Sequence, residues 1–401
     1  MKRTFSSKCI FLWLVLLTVR VIAVAQVHIS NVEQLYSAVN DPANVGVTLR
    51  LAAGTYMLST IDSKGAARPK GGRIELQMNM SIVGVAGDKG AVIINASGLP
   101  TSSFPQTVNG VATGPNAAIR MGLGFNALEW LTVRDAVNGQ ANIDTGLQSL
   151  DPGATYIRVE HVASSGSTRG LNILNFGPQT SGQTIDAEVI DSDFFENPYT
   201  LSEGIRVGNF LGANGSTVNV WMSGNRAWGQ KQGRIIVNNR TNSSTVNVIS
   251  TDNRFYDNGA GTNIFGGLSS NGIRADGNTI HFDALADETT DNTGETEFDY
   301  GGIIIMGAEN DSASGGGGSN NTVKVRLWLC PTLGNALHDL YGAGARSNFL
   351  VNADPSLSQK NHVLLEIRGI GNEHGGSQPV ESFDNSLPGP PDYGNSIKVI
   401  E

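Results

Sequence analysis

The sequence predicts an all-β solenoid closed at its N-terminal end by a short helix. Three observations point there. The composition is that of strands and turns: 50 Gly in 401 residues, with 16% charged and 7% aromatic residues, and with Val, Ile, Thr and Asn abundant. A motif repeats, Ser216-Thr217-Val218-Asn219-Val220 with Asn225-Arg226 recurring as Ser244-Thr245-Val246-Asn247-Val248 with Asn253-Arg254, at an offset of 28 residues throughout. The same opening recurs at Thr184, Thr279 and Thr322, so the five threonines are spaced 33, 28, 34 and 43 residues apart.

Between these openings runs a second column: Gly170-Leu171-Asn172-Ile173, Gly204-Ile205-Arg206-Val207, Arg234-Ile235-Ile236-Val237, Gly272-Ile273-Arg274-Ala275 and Gly302-Ile303-Ile304-Ile305. Alternation with period 2, or a wholly apolar run, reads as a short strand. A unit of about 30 residues with two or three short strands cannot bury its apolar face alone, but stacked units make one continuous core. Val218, Val220, Val246, Val248, Ile280 and Phe282 are the expected core, with Val218 and Val246 as neighbours in adjacent coils. Asn225 and Asn253 fall at one turn position, where stacked asparagines can bond along the stack.

Residues 1–25 read as a signal peptide. Lys2, Arg3 and Lys8 precede the apolar run Ile10 to Leu17, and Ala23-Val24-Ala25 supplies a cleavage site. Removing that segment takes away Lys2, Arg3, Lys8 and Arg20 and no acid, so the net charge moves from −9 to −13. A surface that negative repels nucleic acid and anionic lipid, which makes both poor partners, and no later segment is long enough to span a membrane. The expected location is secreted, periplasmic or cell-surface. Cys330 alone remains in the mature chain and reads as a buried structural thiol.

The helix is expected at 31–40, with Ser30 or Asn31 as N-cap and Val32, Leu35, Tyr36 and Val39 on one face. It hides the open strand edge at the end of the coil. One solenoid domain is expected over 26–371, with an acidic, Gly-rich excursion at 283–321, and an irregular segment over 372–401.

The helix followed by Leu51-Ala52-Ala53-Gly54-Thr55-Tyr56, then Ser81-Ile82-Val83-Gly84-Val85-Ala86-Gly87 and the Asn-bearing coils, resembles the pectin-lyase-like superfamily over about residues 27–370. The resemblance implies a right-handed parallel β-helix. It also implies one of several activities, since members include polysaccharide lyases, glycoside hydrolases, phage tailspikes and adhesins. Arg, Lys or His can serve as base or charge stabiliser in that superfamily, often beside Ca²⁺.

Two readings of function follow. One is an exported β-helix that binds glycans or serves a surface role. The alternative is an enzyme, lyase or glycoside hydrolase, acting on uronate-containing polysaccharide. A lyase needs a base for the proton α to the uronate carboxyl and a cation for the resulting enolate. Outward positions of the second column include Arg206 and Arg274, expected two coils apart on the solvent face and replaceable by Ala at a cost within about 0.5 kcal/mol. Arg206, Arg274 and Lys231 are the candidate catalytic residues, and Asn172, Glu203 and Asn219 the candidate substrate-binding residues. His161, with Arg158 and Glu160, reads as an acid–base cluster or as a turn residue. Seven acids lie between Asp283 and Asp299 without a Lys or Arg, and of these Asp287, Asp291, Glu295 and Glu297 are candidate Ca²⁺ ligands.

Overall fold

In the computed structural model the chain winds as a parallel coil. The structure describes residues 25–400 except 105–106, 109–110, 113–116, 146–154, 197–201, 232, 260, 270–273, 293–301, 311–316, 334–339, 344–345, 348–357, 370–381 and 384–393. Each regular coil holds three strands. A seven-residue lead strand such as Thr217–Ser223 is followed by a short strand, Arg226–Trp228, and an eight-residue return strand, Gly233–Arg240. Each strand pairs in parallel with its counterpart one coil on, so Thr217, Val218 and Val220 lie against Thr245, Val246 and Val248. Lead and short strands merge into one 19-stranded sheet, and return strands form another of 11. The fold is a right-handed parallel β-helix, the hand that parallel crossovers almost always take.

The expected core is the observed one. Val218, Val220, Val246, Val248, Ile280 and Phe282 are all buried within one apolar cluster that runs from Ile29 to Ile367. Period-2 alternation does this directly, because successive side chains on a strand leave opposite faces.

The capping helix spans Val32–Asn40. Asn31 is its N-cap: the Asn31 side-chain oxygen accepts from the Gln34 N–H at 2.9 Å, and the Gln34 side chain accepts from the Ser30 N–H at 2.8 Å. This reciprocal pair satisfies donors the helix start leaves open. Leu35, Tyr36, Ala38 and Val39 face the core. The Tyr36 hydroxyl donates to the Gly72 carbonyl at 2.5 Å, with the Arg68 guanidinium 3.9 Å from its ring centre. Burial pushes that phenol up to about 12.

The coil begins at its expected N-terminal limit and extends beyond the C-terminal one. Gln26–Ile29, the expected start of the mature chain, already pairs with Thr48–Leu51, and the helix lies between these two strands. At the other end Ser396–Ile400 pairs with His362–Arg368, so that part of the segment read as irregular is a further rung. The excursion is also narrower than expected. Thr279–Leu285, Glu288–Thr290 and Ile303–Asn310 are strands of a regular coil. Residues 1–24 of the expected signal peptide lie outside the described residues. Among the described residues no helix is long and apolar enough to cross a membrane.

The corners are the most regular part of the molecule. Between lead and short strands sits a single residue in the left-handed region: Asp191, Gly224, Asp252, Ala286, Leu329 and Gly369, with φ between 46° and 68°. Next to it a side-chain oxygen accepts from the coil before. The Ser192 N–H donates to the Asn225 oxygen at 3.0 Å, and the Asn225 N–H and amide nitrogen both donate to the Asn253 oxygen at 2.9 Å. Asn253 donates in the same way to Asp287. A second ladder runs Ser216, Ser244, Asn278, Asn321, Asn361, Asn395, and a third runs Gln230, Asn258, Asn292. Buried backbone donors at turns must find partners, and here each finds one a coil away.

Replacing Asn253 by Ala is expected to orphan the Asn225 N–H, at a cost of about 1–3 kcal/mol read from urea unfolding. Ala286→Gly should instead raise stability by up to about 1 kcal/mol. It relieves a left-handed L-residue worth about 1–2 kcal/mol against a glycine entropy cost of about 0.5–1 kcal/mol. Gly224→Ala should lower the midpoint, because its Cβ would fall 2.2 Å from a carboxylate oxygen of Asp191.

Candidate functional site

The return strands present two outward columns fixed by register. The first runs Glu75, Arg120, Asp144, Asn172, Arg206, Ile236, Asn263, Ile304. The second runs Leu174, Gly208, Asn238, Phe265, Met306. The column is charged toward the N-terminal end and apolar toward the C-terminal end.

The charged half is dense. Glu75 forms ion pairs with Arg73 at 3.1 Å, Lys70 at 3.4 Å and Arg120 at 3.9 Å. Glu203 takes Arg169 at 3.1 Å and both arms of Arg206, one at 2.5 Å. Asp144 lies near enough to Arg73 to act on it electrostatically. Lys70, Arg73, Arg120, Arg169 and Arg206 thus outnumber Glu75, Asp144 and Glu203 in a chain of net charge −9. An anionic ligand is drawn to such a strip.

Arg206 is not the solvent-facing residue that alternation implies. It points outward, yet it is 8% exposed, and Glu203 beneath it is fully buried. Burial, then the charge of Arg169, pushes the Arg206 guanidinium down to about 9, which still leaves it protonated at neutral pH. Burial raises the Glu203 carboxyl, but Arg169 and Arg206 outweigh it and hold the group below its ordinary value. Period 2 gives the side a residue faces; it does not say whether that side is wet.

Arg274 stands elsewhere. The return strand of its coil is Thr262–Ser269, with Asn263 in the outward column. The Gly272-Ile273-Arg274 pattern imitates Gly204-Ile205-Arg206 but precedes the next lead strand. Arg274 is half-buried and clamped by both oxygens of Asp276 at 2.8 and 2.9 Å, with Ser319 at 3.1 Å. Asn219 also lies apart, on the outer face of a lead strand, where its amide donates to Asp186 and accepts from Asn247, each at 2.8 Å. Lys231 is exposed at the corner before the return strand, its N–H donating to the Ser202 hydroxyl at 2.7 Å. Of the six candidates, Asn172, Glu203 and Arg206 are brought together.

His161 is a corner residue. It adopts φ 52° and stacks on Trp130, centroids 3.8 Å apart, with Glu160 at 3.7 Å. In the acidic stretch, Asp287 is a rung of the corner ladder: it accepts from Asn253 and from the Ser250 hydroxyl. Asp283 pairs with Arg326, and Glu288 pairs with Arg254 at 2.7 Å. Asp291 is a left-handed corner residue, φ 54°; Glu295 and Glu297 lie outside the described residues. Among the described residues no cluster of three or more His, Cys, Asp or Glu side chains is placed to hold a metal ion. Cys330 is buried, and burial raises its thiol to about 11, as the structural reading expects.

The strongest local signal is one of omission. Asparagines in the corner ladders are bonded through their side chains. On the outer face of the return strands, Asn172 and Asn238 are fully buried, and neither atom of either amide has a partner; the side-chain oxygen of Asn263 has none. A buried unpaired amide costs about 1–3 kcal/mol, so the three are an unmet polar load on this face.

Comparison with known proteins follows the fold. No protein-family model matches the chain, and no curated protein sequence matches it. Among solved structures, pectate lyase Pel9A is similar at TM-score 0.44 and 16% identity, over 87% of this chain and 73% of that one. The periplasmic alginate epimerase AlgG is similar at TM-score 0.34 and 13% identity, over 94% and 83%. The A-module of the Azotobacter vinelandii mannuronan C-5 epimerase AlgE6 is similar at TM-score 0.33 and 14% identity, over 90% and 100%.

Arg206→Ala and Glu203→Gln are each expected to cost about 3–5 kcal/mol, since each leaves buried charge uncompensated. Glu203 also sets an acid limit. Its folded value lies below the ordinary 4.5, so its contribution is whole above that pH and is lost as pH falls through the folded value. Thermal melts from pH 6 to 3 should show a flatter acid decline in Glu203→Gln than in the parent.

Proposed function

We propose that this chain is an exported β-helix that binds an acidic polysaccharide along the outer face of its return strands. The cations Lys70, Arg73, Arg120, Arg169 and Arg206, gathered around Glu75, Asp144 and Glu203 in a chain of net charge −9, carry this reading. Uronic acids offer the matching chemistry, a carboxylate suited to a planar guanidinium. Arg120 and Arg206 stand three coils apart in the column, about 14 Å at the usual strand spacing, a span for an oligosaccharide rather than a monomer.

Lys70→Ala separates this role from a structural one. Lys70 is half-exposed, so its loss should leave stability within about 0.5 kcal/mol, while weakening uronate binding at least about threefold by calorimetry with tetrasaccharides of galacturonate, mannuronate and guluronate. A variant that loses stability, or that binds like the parent, removes the proposal; so does a parent that binds none of these.

A polysaccharide lyase is the second reading, favoured by the gathering of Arg120, Arg169 and Arg206 on one face, cations of the kind that stabilise a developing enolate. Unsaturated product absorbing at 235 nm should then form from a uronate polymer. Binding without such product leaves the first reading alone.

A further inference from the structure

The outer face of the lead strands belongs to a different sheet from the strip on the return strands. Large apolar side chains lie open at its centre. Trp221 is 43% exposed, Ile249 one coil on is 54% exposed, and Leu285 one coil further is 45% exposed. Single apolar residues on a surface are ordinary, but three in successive coils make a patch.

Charge is arranged around that patch. In the column of Ile249, Arg158, Glu188 and Trp221 come before it and Asp283, Arg326 and Glu366 after it. In the columns on either side, Asp186 and Glu160 precede the rung of Ile249, and Lys324 and Arg368 follow it. Two coils from that rung, Glu188 stands against Arg326 and Asp186 against Lys324. Three coils from it, Arg158 stands against Glu366 and Glu160 against Arg368. Some of these charges also pair within the chain, as Arg158 does with Glu160 and Asp283 with Arg326. Such pairing does not produce the pattern, because strict alternation along a column puts equal signs at equal distances from any residue. Here the signs are opposite.

A two-fold axis along Thr245–Thr251 produces that pattern. We propose that two copies of this chain pack lead face to lead face about such an axis, with their coils antiparallel. The contact is isologous. Ile249 meets Ile249 of the second copy, and Trp221 lies over the second copy's Asp283 and Leu285. Asp186 and Glu188 meet Lys324 and Arg326, and Arg158 and Glu160 meet Glu366 and Arg368. No like charges are opposed in these columns. Lead strands of seven residues, stacked over the rungs from Arg158 to Glu366, give each copy a face of about 650 Å². The two faces together, about 1,300 Å², lie within the range of specific interfaces. The return-strand strips of both copies stay outside the contact.

Sedimentation velocity on the full chain should show a dimer with Kd at or below about 10 μM. Ile249→Asp sets two carboxylates together on the axis and should weaken the dimer at least about tenfold, with the melt of the outward-facing variant unchanged. Should that variant melt below the parent, Trp221→Ser repeats the measurement. Asp186→Lys and Lys324→Glu should each weaken the dimer about tenfold, and the double variant should restore it to within about threefold, since the two residues exchange roles across the axis. A chain that stays monomeric to about 100 μM overturns the proposal. So does a dimer that folded Ile249→Asp or Trp221→Ser leaves intact, and so does a double variant that fails to restore what the single ones lost.

Discussion

At the corners of this coil, a backbone N–H points at a side-chain oxygen one coil further on. Three columns of these bonds, through Asn225–Asn253–Asp287, Ser216–Ser244–Asn278–Asn321–Asn361–Asn395 and Gln230–Asn258–Asn292, run in one direction along the axis. They do what helices do in other parallel sheets: they close the turn between parallel strands without leaving donors bare. Because the acceptor belongs to the next coil, a slip of one residue at any corner breaks bonds in two coils. Register on the three sides is thereby locked together, and the outward columns follow as a consequence.

That lock explains the order on the outer face. Lead and return strands share one inward face, so what points inward is held nearly constant, aliphatic in coil after coil. Outward positions are free of that constraint and differ from coil to coil: Glu75, Arg120, Asp144, Asn172, Arg206, Ile236, Asn263, Ile304. On the lead strands the outward residues are wet and pair with one another, as Asn219 and Asn247 do at 2.8 Å. The return strands bury theirs. Buried charge is tolerated only when paired, and Glu203, held by two arginines, meets that condition; the amides nearby do not.

The repeat was legible because packing writes it twice: once in alternating valines, once in the asparagines of one turn. Sequence reading reached the lead strands, the capping helix and the Asn225–Asn253 stack for that reason. The short strand Arg226–Trp228 escaped it, since three residues carry no period, although Phe195, Trp228 and Tyr256 stack there with centroids 4.7 and 5.7 Å apart. Arg274 was misplaced because Gly-Ile-Arg repeats the form of Gly204-Ile205-Arg206, while the true strand, Thr262–Ser269, begins with two polar residues. Asp287 reads as an acid among acids; only its spacing of 34 residues from Asn253 marks it as a rung, with its carboxylate doing an amide's work. Half of the candidate site was visible as residues. Its burial was not, because exposure depends on what covers a face, and alternation is silent on that.

The two populations of asparagine carry the last step. Both lie buried in one scaffold, on strands and corners of the same regularity, yet the ladder amides are bonded and those of Asn172 and Asn238 are not. A leucine at either position would remove the unmet bonds at little loss of packing, as it does throughout the inward face. Stability alone therefore does not account for them. Buried amides left without a partner inside the protein cost stability, and these sit beside cations at one end and aliphatic side chains at the other.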